Sequence, residues 1–383
     1  MKIGVDVRCF SEGKFTGVEE YAKRLLQEIF LRDKKNKYIL FFNSWKESTI
    51  DFSWAIKYPN VKLKIFRFPN KLINFLFWYL RWPKIDKMLG GVDVFFMPNM
   101  NFSAISKKAK TFLTVHDLSF EYYKETFSVK RRLWHWFIDL RSMARKANRV
   151  IAISQSTKED LKVIYGIKER RMRNIPSAIS DSFSQINRND WKLIEIKEKY
   201  KLPFKFILFL GTIEPRKNIS ALVRAYDLLR EESREKFGDY KLVIAGSKGW
   251  KFGEIFRTIR KSKFRKDIIL TGFIDDDDKP ALYNLASVFV YPSLFEGFGF
   301  PPLEAAKCGT PVIVSNNSSF PGVIGKGGIM IDPHKSEEIF LALREILSSR
   351  ALQENLKRQG LNYAMKFSWE QTAKLFLKMI KEA

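Results

Sequence analysis

The stretch from Ala286 to Pro311 constrains the fold more than any other part of the chain. It opens with Ala286-Ser-Val-Phe-Val290, an apolar run without alternation, as expected of a parallel strand buried on both faces. A loop with Gly297 and Gly299 follows, where the backbone turns without a Cβ in the way. Pro301 and Pro302 then suit the first turn of a helix, and Gly309 suits its end. Parallel strands need crossover connections, so a strand, glycine loop and helix in this order predicts a doubly wound α/β sheet. The same order recurs at Phe206–Leu210, which runs into Gly211 and a helix from about Ile219, and at the N-terminus, where Met1–Phe10 leads through Gly17 into Val18–Phe30.

Two glutamates frame the first-named unit, Glu296 in the loop and Glu304 just inside the helix. Free N–H groups at a helix start suit an anion, and carboxylates accept from sugar hydroxyls. The plainer alternative is a first-turn glutamate complementing the helix dipole beside an unrelated loop glutamate. The run Ser-Leu-Phe-Glu296-Gly-Phe-Gly-Phe-Pro-Pro-Leu-Glu304-Ala, with Gly309-Thr-Pro-Val-Ile-Val-Ser315 after it, resembles the signature of the retaining glycosyltransferases of family 4. That resemblance implies the GT-B fold, two doubly wound Rossmann-like domains facing across a cleft. It covers nearly the whole chain and is densest from Phe206 to Asp332.

Composition bounds the alternatives. At 383 residues, 45% hydrophobic and 29% charged, the chain has length for two full cores. Two cysteines and three histidines give neither a disulfide framework nor a metal-ligand spacing. Met1-Lys-Ile-Gly-Val-Asp enters a strand directly and lacks a signal-peptide pattern, so the expectation is a cytoplasmic protein. The formal charge of +26 fits nucleic acid, anionic lipid or phosphorylated ligands, and fits equally a solvated basic surface with no dedicated partner.

Taken in order, residues 1–180 read as the first domain, 204–365 as the second, and 366–383 as a terminal helix. Ile175–Ser177 is the expected last strand of the first domain, and the polar stretch Asp181–Tyr200 the linker. Eight basic residues stand against one acidic between Lys57 and Gly91, around the apolar Leu72–Trp82. That segment is too short and interrupted to cross a membrane, which takes ~20 apolar residues; it suits either an interfacial segment on anionic lipid or a core helix. Lys124–Arg149 is again basic and aromatic. His116 and Asp117 follow the strand Thr111–Val115, where open α/β sheets bind ligands; a turn histidine and a capping aspartate explain them as well. Arg216 and Lys217 stand at a strand–helix junction, where a forked and a point cation neutralise a diphosphate, or belong to a generally basic surface. The run Asp275–Asp278 reads as a solvated helix flank.

Family resemblance gives these residues roles. It implies that Glu304 binds the ribose diol of a nucleotide diphosphate sugar and Glu296 the donor sugar. Arg216, Lys217, Gly17 and the helix behind Gly299 hold the diphosphate. His116 sits beside the transferred sugar, and Phe273, Phe298 and Phe300 belong to the donor site. Here Thr16-Gly17 stands where many members have two adjacent glycines, and Thr212 where other branches carry an arginine. The implied reaction moves a hexose, mannose favoured with GDP-mannose as first donor, to a glycan or lipid-linked acceptor in polysaccharide assembly, without metal or cofactor. The terminal helix is implied to cross back to the first domain, and the protein to lie in the cytoplasm or on the inner face of the membrane, with no nucleic-acid partner. A basic nucleic-acid or polyanion binder without catalysis is the alternative from another class; a phosphorylase of the same fold would bring a pyridoxal-lysine context not found here.

Overall fold

The computed structural model describes residues 1–12, 17–45 and 50–382 and contains two parallel sheets. The first comprises β1 (Lys2–Asp6), β2 (Lys37–Asn43), β3 (Val61–Phe66), β4 (Val94–Met97), β5 (Lys110–Val115), β6 (Arg149–Ala152) and β7 (Met172–Asn174), in the order β3-β2-β1-β4-β5-β6-β7. The second comprises β8 (Lys205–Leu210), β9 (Tyr240–Ala245), β10 (Ile268–Gly272), β11 (Val288–Tyr291), β12 (Val312–Ser315) and β13 (Ile329–Ile331), in the order β10-β9-β8-β11-β12-β13. Each winds outward from a central strand and then reverses, which puts the topological switch between β1 and β4 in one sheet and between β8 and β11 in the other. The apolar runs lack alternation because both faces are covered: all of β11 and all but the first residue of β8 are buried.

Contacts group the chain into one unit of Met1–Leu118, Lys130–Ala178 and Ser368–Ala383, and another of Ser119–Val129 and Ile179–Phe367. In the first, the terminal helix Trp369–Lys381 starts on a Ser368 cap that accepts from the Gln371 N–H at 3.2 Å. Phe376 of this helix packs on Phe96 with centroids 4.6 Å apart, and the Thr372 hydroxyl donates to the Pro176 carbonyl at 2.8 Å. In the second, Ser119–Val129 is held by Tyr122 stacked on Phe295 and by the Trp250 indole donating to the Thr126 carbonyl at 2.6 Å. The expected boundaries, drawn along the sequence, had this segment in the first domain.

Two expectations need correction. The stretch expected as an open linker holds a helix, Trp191–Lys199, capped by Asp190 and burying Leu193 and Ile196. Lys199 reaches Asp275 at 2.8 Å and Asp278 at 2.6 Å, so the acidic run is tied to this helix through two of its members. The last strand of the first sheet falls at Met172–Asn174, paired with β6, and not at Ile175–Ser177. No helix among the described residues is long and apolar enough to cross a membrane.

Candidate functional site

At the carboxyl edge of β8 the chain turns through Pro215–Lys217 and, after Asn218 in the left-handed region (φ 54°), enters the helix Ile219–Glu232. Arg216 and Lys217 are thereby held at the switch point, beside the loop that leaves β11. From that loop Glu296 meets them. Its Oε1 accepts from Lys217 Nζ at 2.5 Å and from the Ser293 hydroxyl at 2.7 Å, and lies 3.0 Å from an Arg216 guanidinium nitrogen. The Glu296 N–H donates to the Ser318 hydroxyl at 3.1 Å. Arg216 also donates to Glu214 Oε1 at 2.8 Å and to the Phe295 carbonyl at 2.6 Å, and Lys217 donates to the Tyr291 hydroxyl at 2.7 Å.

Burial by itself would raise the Glu296 carboxyl, but Arg216, Lys217 and the two hydrogen bonds hold it down at about 2. Lys217 is pressed below its ordinary value by burial and then by the Arg216 charge, against the pull of Glu296 and Glu214. The Tyr291 phenol is pushed well up by burial and by Glu296, so it stays protonated. Two cations and two carboxylates thus share a small, mostly water-free volume. An anion entering there would meet donors already oriented, and it would compete with Glu296 for them.

Beyond Glu296, Gly299 (φ 91°) turns the chain into the helix Phe300–Lys307. A Cβ on it would come within 2.7 Å of the Phe320 ring, so glycine is required both by conformation and by space. Pro301 and Pro302 carry no N–H, so fewer donors face an anion at this helix start than its position alone suggests. Glu304, half-buried, accepts from the Tyr283 hydroxyl at 2.8 Å. Phe273 follows β10 and is 65% exposed, leaving a ring face for a planar ligand. Phe298 differs from expectation: its ring is 2% exposed, wedged between Phe300 and Phe367. It has no face for a donor, and any part it takes is through its backbone.

In the first unit, His116 follows β5 and is half-buried, with Tyr21 edge-on at 5.0 Å. Its Nε2 lies 2.9 Å from the Pro98 carbonyl. An imidazole nitrogen facing a carbonyl must carry the proton, which leaves Nδ1 as the acceptor of the neutral ring. Burial lowers its pKa, so the neutral form dominates near neutrality. Gly17 is the exposed first residue of the helix Gly17–Arg32; the loop before it, with Thr16, lies outside the described residues.

Glu214, Tyr291, Ser293, Ser318 and Tyr283 were passed over in the sequence. Glu214 stands within the Glu-Pro-Arg-Lys-Asn run and was legible there. The hydroxyl groups carry no local signal, because their partners arrive from other strands.

The model of the family "Glycosyl transferases group 1" matches residues 192–363, and that of "Glycosyltransferase Family 4" matches residues 15–183. The chain is 37% identical over 270 residues to the serotype-specific mannosyltransferase WbdA of Escherichia coli, a match covering 70% of this chain and 32% of WbdA. The chain therefore spans about a third of that relative's length. To the O-antigen chain mannosyltransferase B of Escherichia coli it is 31% identical over 271 residues, covering 70% of each. Among solved structures, sucrose-phosphate synthase from Thermosynechococcus elongatus superposes with TM-score 0.75 at 18% identity, over 100% of this chain and 98% of that one. Anabaena HepE, solved with UDP-glucose, gives 0.74 at 14% identity over 100% of both. At such identities the likeness is one of fold.

Proposed function

The chain belongs to glycosyltransferase family 4 and has the GT-B fold, and from that premise we propose that it moves a hexosyl residue, mannosyl first, from a nucleoside diphosphate sugar to a hydroxyl of a glycan or lipid-linked acceptor in polysaccharide assembly. The observation that carries the proposal is the convergence of Arg216 and Lys217 on Glu296 at the switch between β8 and β11. A diphosphate needs a forked and a point cation held in place before charge develops on it. Here Tyr291, Glu214 and Glu296 hold both.

In this reading the diphosphate takes Lys217 and Arg216, and the sugar hydroxyls take the freed oxygen of Glu296. The ribose diol donates to Glu304, which Tyr283 orients, and the base lies against Phe273. Phe300, Gly299 and the helix start behind them close the phosphate side. As the bond between the anomeric carbon and the phosphate oxygen breaks, its electron pair goes to the nucleoside diphosphate. The acceptor hydroxyl attacks on the same face and passes its proton to that departing oxygen, which retains the anomeric configuration without an enzyme nucleophile, a metal or a cofactor. In the first unit, His116, neutral with Nδ1 as acceptor, suits a sugar hydroxyl.

Mannose is favoured because WbdA and mannosyltransferase B are mannosyltransferases by name. A lipid-linked acceptor would be met at a bilayer, so the proposal extends to an anionic membrane surface. The test is a panel of GDP-, UDP- and ADP-sugars in chelator. Nucleoside diphosphate released from one of them, with a matching thermal stabilisation, supports the reading. Turnover only after metal is added back would overturn the cation account.

A further inference from the structure

We propose that the first unit docks on an anionic lipid bilayer through one aromatic surface assembled from two separate chain segments. Phe75 and Tyr79 stack at 5.6 Å, Phe75 meets Trp78 at 6.2 Å, Trp78 stands edge-on to Phe137 at 5.3 Å, and Phe137 meets Trp136 at 4.9 Å. The contact between Trp78 and Phe137 joins the segment Asn70–Leu80 to the helix Val129–Ile138. These five rings are exposed by 50, 67, 37, 39 and 72% for Phe75, Tyr79, Trp78, Phe137 and Trp136. Leu72 and Leu80, exposed by 52 and 55%, extend the surface.

The core already has its share of the first segment: Ile73 and Phe77 are 2% and 0% exposed. The outward rings are therefore surplus to the fold, and a contiguous apolar surface of that kind marks an interaction site. Its edges decide the partner. Lys71, Arg81, Lys130 and Arg132 are exposed around it, and residues 70–84 contain no Asp or Glu. Tryptophan and tyrosine beside lysine and arginine match the headgroup level of an anionic bilayer, where rings sit among the headgroups and cations meet lipid charge. A second copy fits less well, since a two-fold contact would set this mainly basic rim, with Asp139 the exposed acid after the helix Val129–Ile138, against itself.

Both segments lie in the connections that leave the carboxyl ends of β3 and β5, and His116 follows β5. The use of the surface, bringing a lipid-linked acceptor to that edge, rests on the glycosyltransferase reading; the docking itself does not.

The test is co-sedimentation with phosphatidylglycerol and with phosphatidylcholine vesicles at low and high salt. The protein should partition onto phosphatidylglycerol vesicles and come off as salt rises. Tyr79→Ser with Trp136→Ser should lower that partitioning about tenfold or more. Lys71→Gln, Arg81→Gln and Arg132→Gln together should remove about tenfold or more of the preference for phosphatidylglycerol. All variants should keep the wild-type circular dichroism and the wild-type thermal shift with GDP, UDP or ADP. Negligible binding of the wild type to both vesicles, or aromatic variants that bind as it does, would overturn the proposal. So would a wild-type dimer that Tyr79→Ser with Trp136→Ser turns into a monomer without any vesicle binding, since a second copy would then cover the surface. Vesicle binding with no response to any nucleoside diphosphate would leave the docking standing and overturn the glycosyltransferase reading.

Discussion

The two sheets reverse at equivalent places, and the charged groups at the two switch points are arranged differently. After β1, Arg8 pairs with Asp6 two residues away, through contacts of 2.9 and 2.6 Å, and donates to the Phe102 carbonyl at 2.7 Å. Its guanidinium lies over Phe41 and Phe77, and both charged side chains are nearly sealed, at 5 and 3% exposure. That pair is local, one cation to one carboxylate, with aromatic walls. After β8, two cations share Glu296, which arrives from a loop 79 residues on, and a third group, Glu214, takes the other side of Arg216. The doubly wound fold supplies a polar strand edge twice. The residues that follow the strand make one edge a closed structural joint; at the other, two cations gather on Glu296, where the proposed function places a diphosphate.

If that contrast is right, the largest effect on stability comes from the closed joint. Asp6→Ala should cost about 3–5 kcal/mol, because it strands a buried guanidinium, and should leave nucleotide affinity unchanged. A urea titration of the folded variant with nucleotide binding alongside checks it, and a nucleotide defect would make the first switch point part of the site. Lys217→Ala should act the other way, lowering kcat by about 10²–10³-fold, the scale of a lost charge-stabilising donor, with a smaller change in unfolding midpoint. Full activity with a large stability loss would reduce the second switch point to another structural joint.

Glycines give a smaller pair of tests. Gly91→Ala, at φ 82° with nothing near the added carbon, should cost about 1–2 kcal/mol of backbone strain. Gly299→Ala adds a collision with Phe320 and should cost about 1–3 kcal/mol more, with reduced nucleotide affinity. Equal thermal shifts for both would mean the Phe320 ring moves aside freely.

A further contrast is in pH. Glu296 is held at about 2 in the folded chain against an ordinary 4.5. A depressed carboxyl contributes stability that is fully present above 4.5 and lost as pH falls toward 2. Melting temperature against pH should therefore fall less steeply over that range in Glu296→Gln than in the wild type, and parallel curves would contradict the shift.

How much of this was legible in the sequence depended on whether a residue's partner lay nearby. The strands Phe206–Leu210 and Ala286–Val290 were readable because burial on both faces removes the alternation that water imposes. Glu296, Glu304, Arg216 and Lys217 were readable because each stands at a strand–turn–helix junction within a dense motif. Their mutual contacts were not, since the meeting of Lys217 with Glu296 and Tyr291 depends on β8 pairing beside β11. The helix Trp191–Lys199 escaped notice because its apolar residues are split, Leu193 and Ile196 buried but Trp191 and Ile194 exposed, within a stretch rich in charge. Phe298 was assigned to the donor site through the family resemblance of its motif, yet Phe367 and Phe300 enclose its ring, a long-range contact that the local sequence does not show. Leu72–Trp82 allowed both a core and an interfacial reading, and the burial of Ile73 and Phe77 beside exposed Trp78 and Tyr79 decides for a segment with two apolar sides.

In the proposed function, the edge after β8 and β11 binds a nucleoside diphosphate with Glu304 on its ribose. Calorimetric titration of the wild type and of folded Glu304→Ala with GDP, UDP and ADP tests this most directly. One diphosphate should bind the wild type, and its affinity should fall by about 2 kcal/mol in the variant, roughly thirtyfold. An unchanged affinity in a variant that melts like the wild type would contradict it.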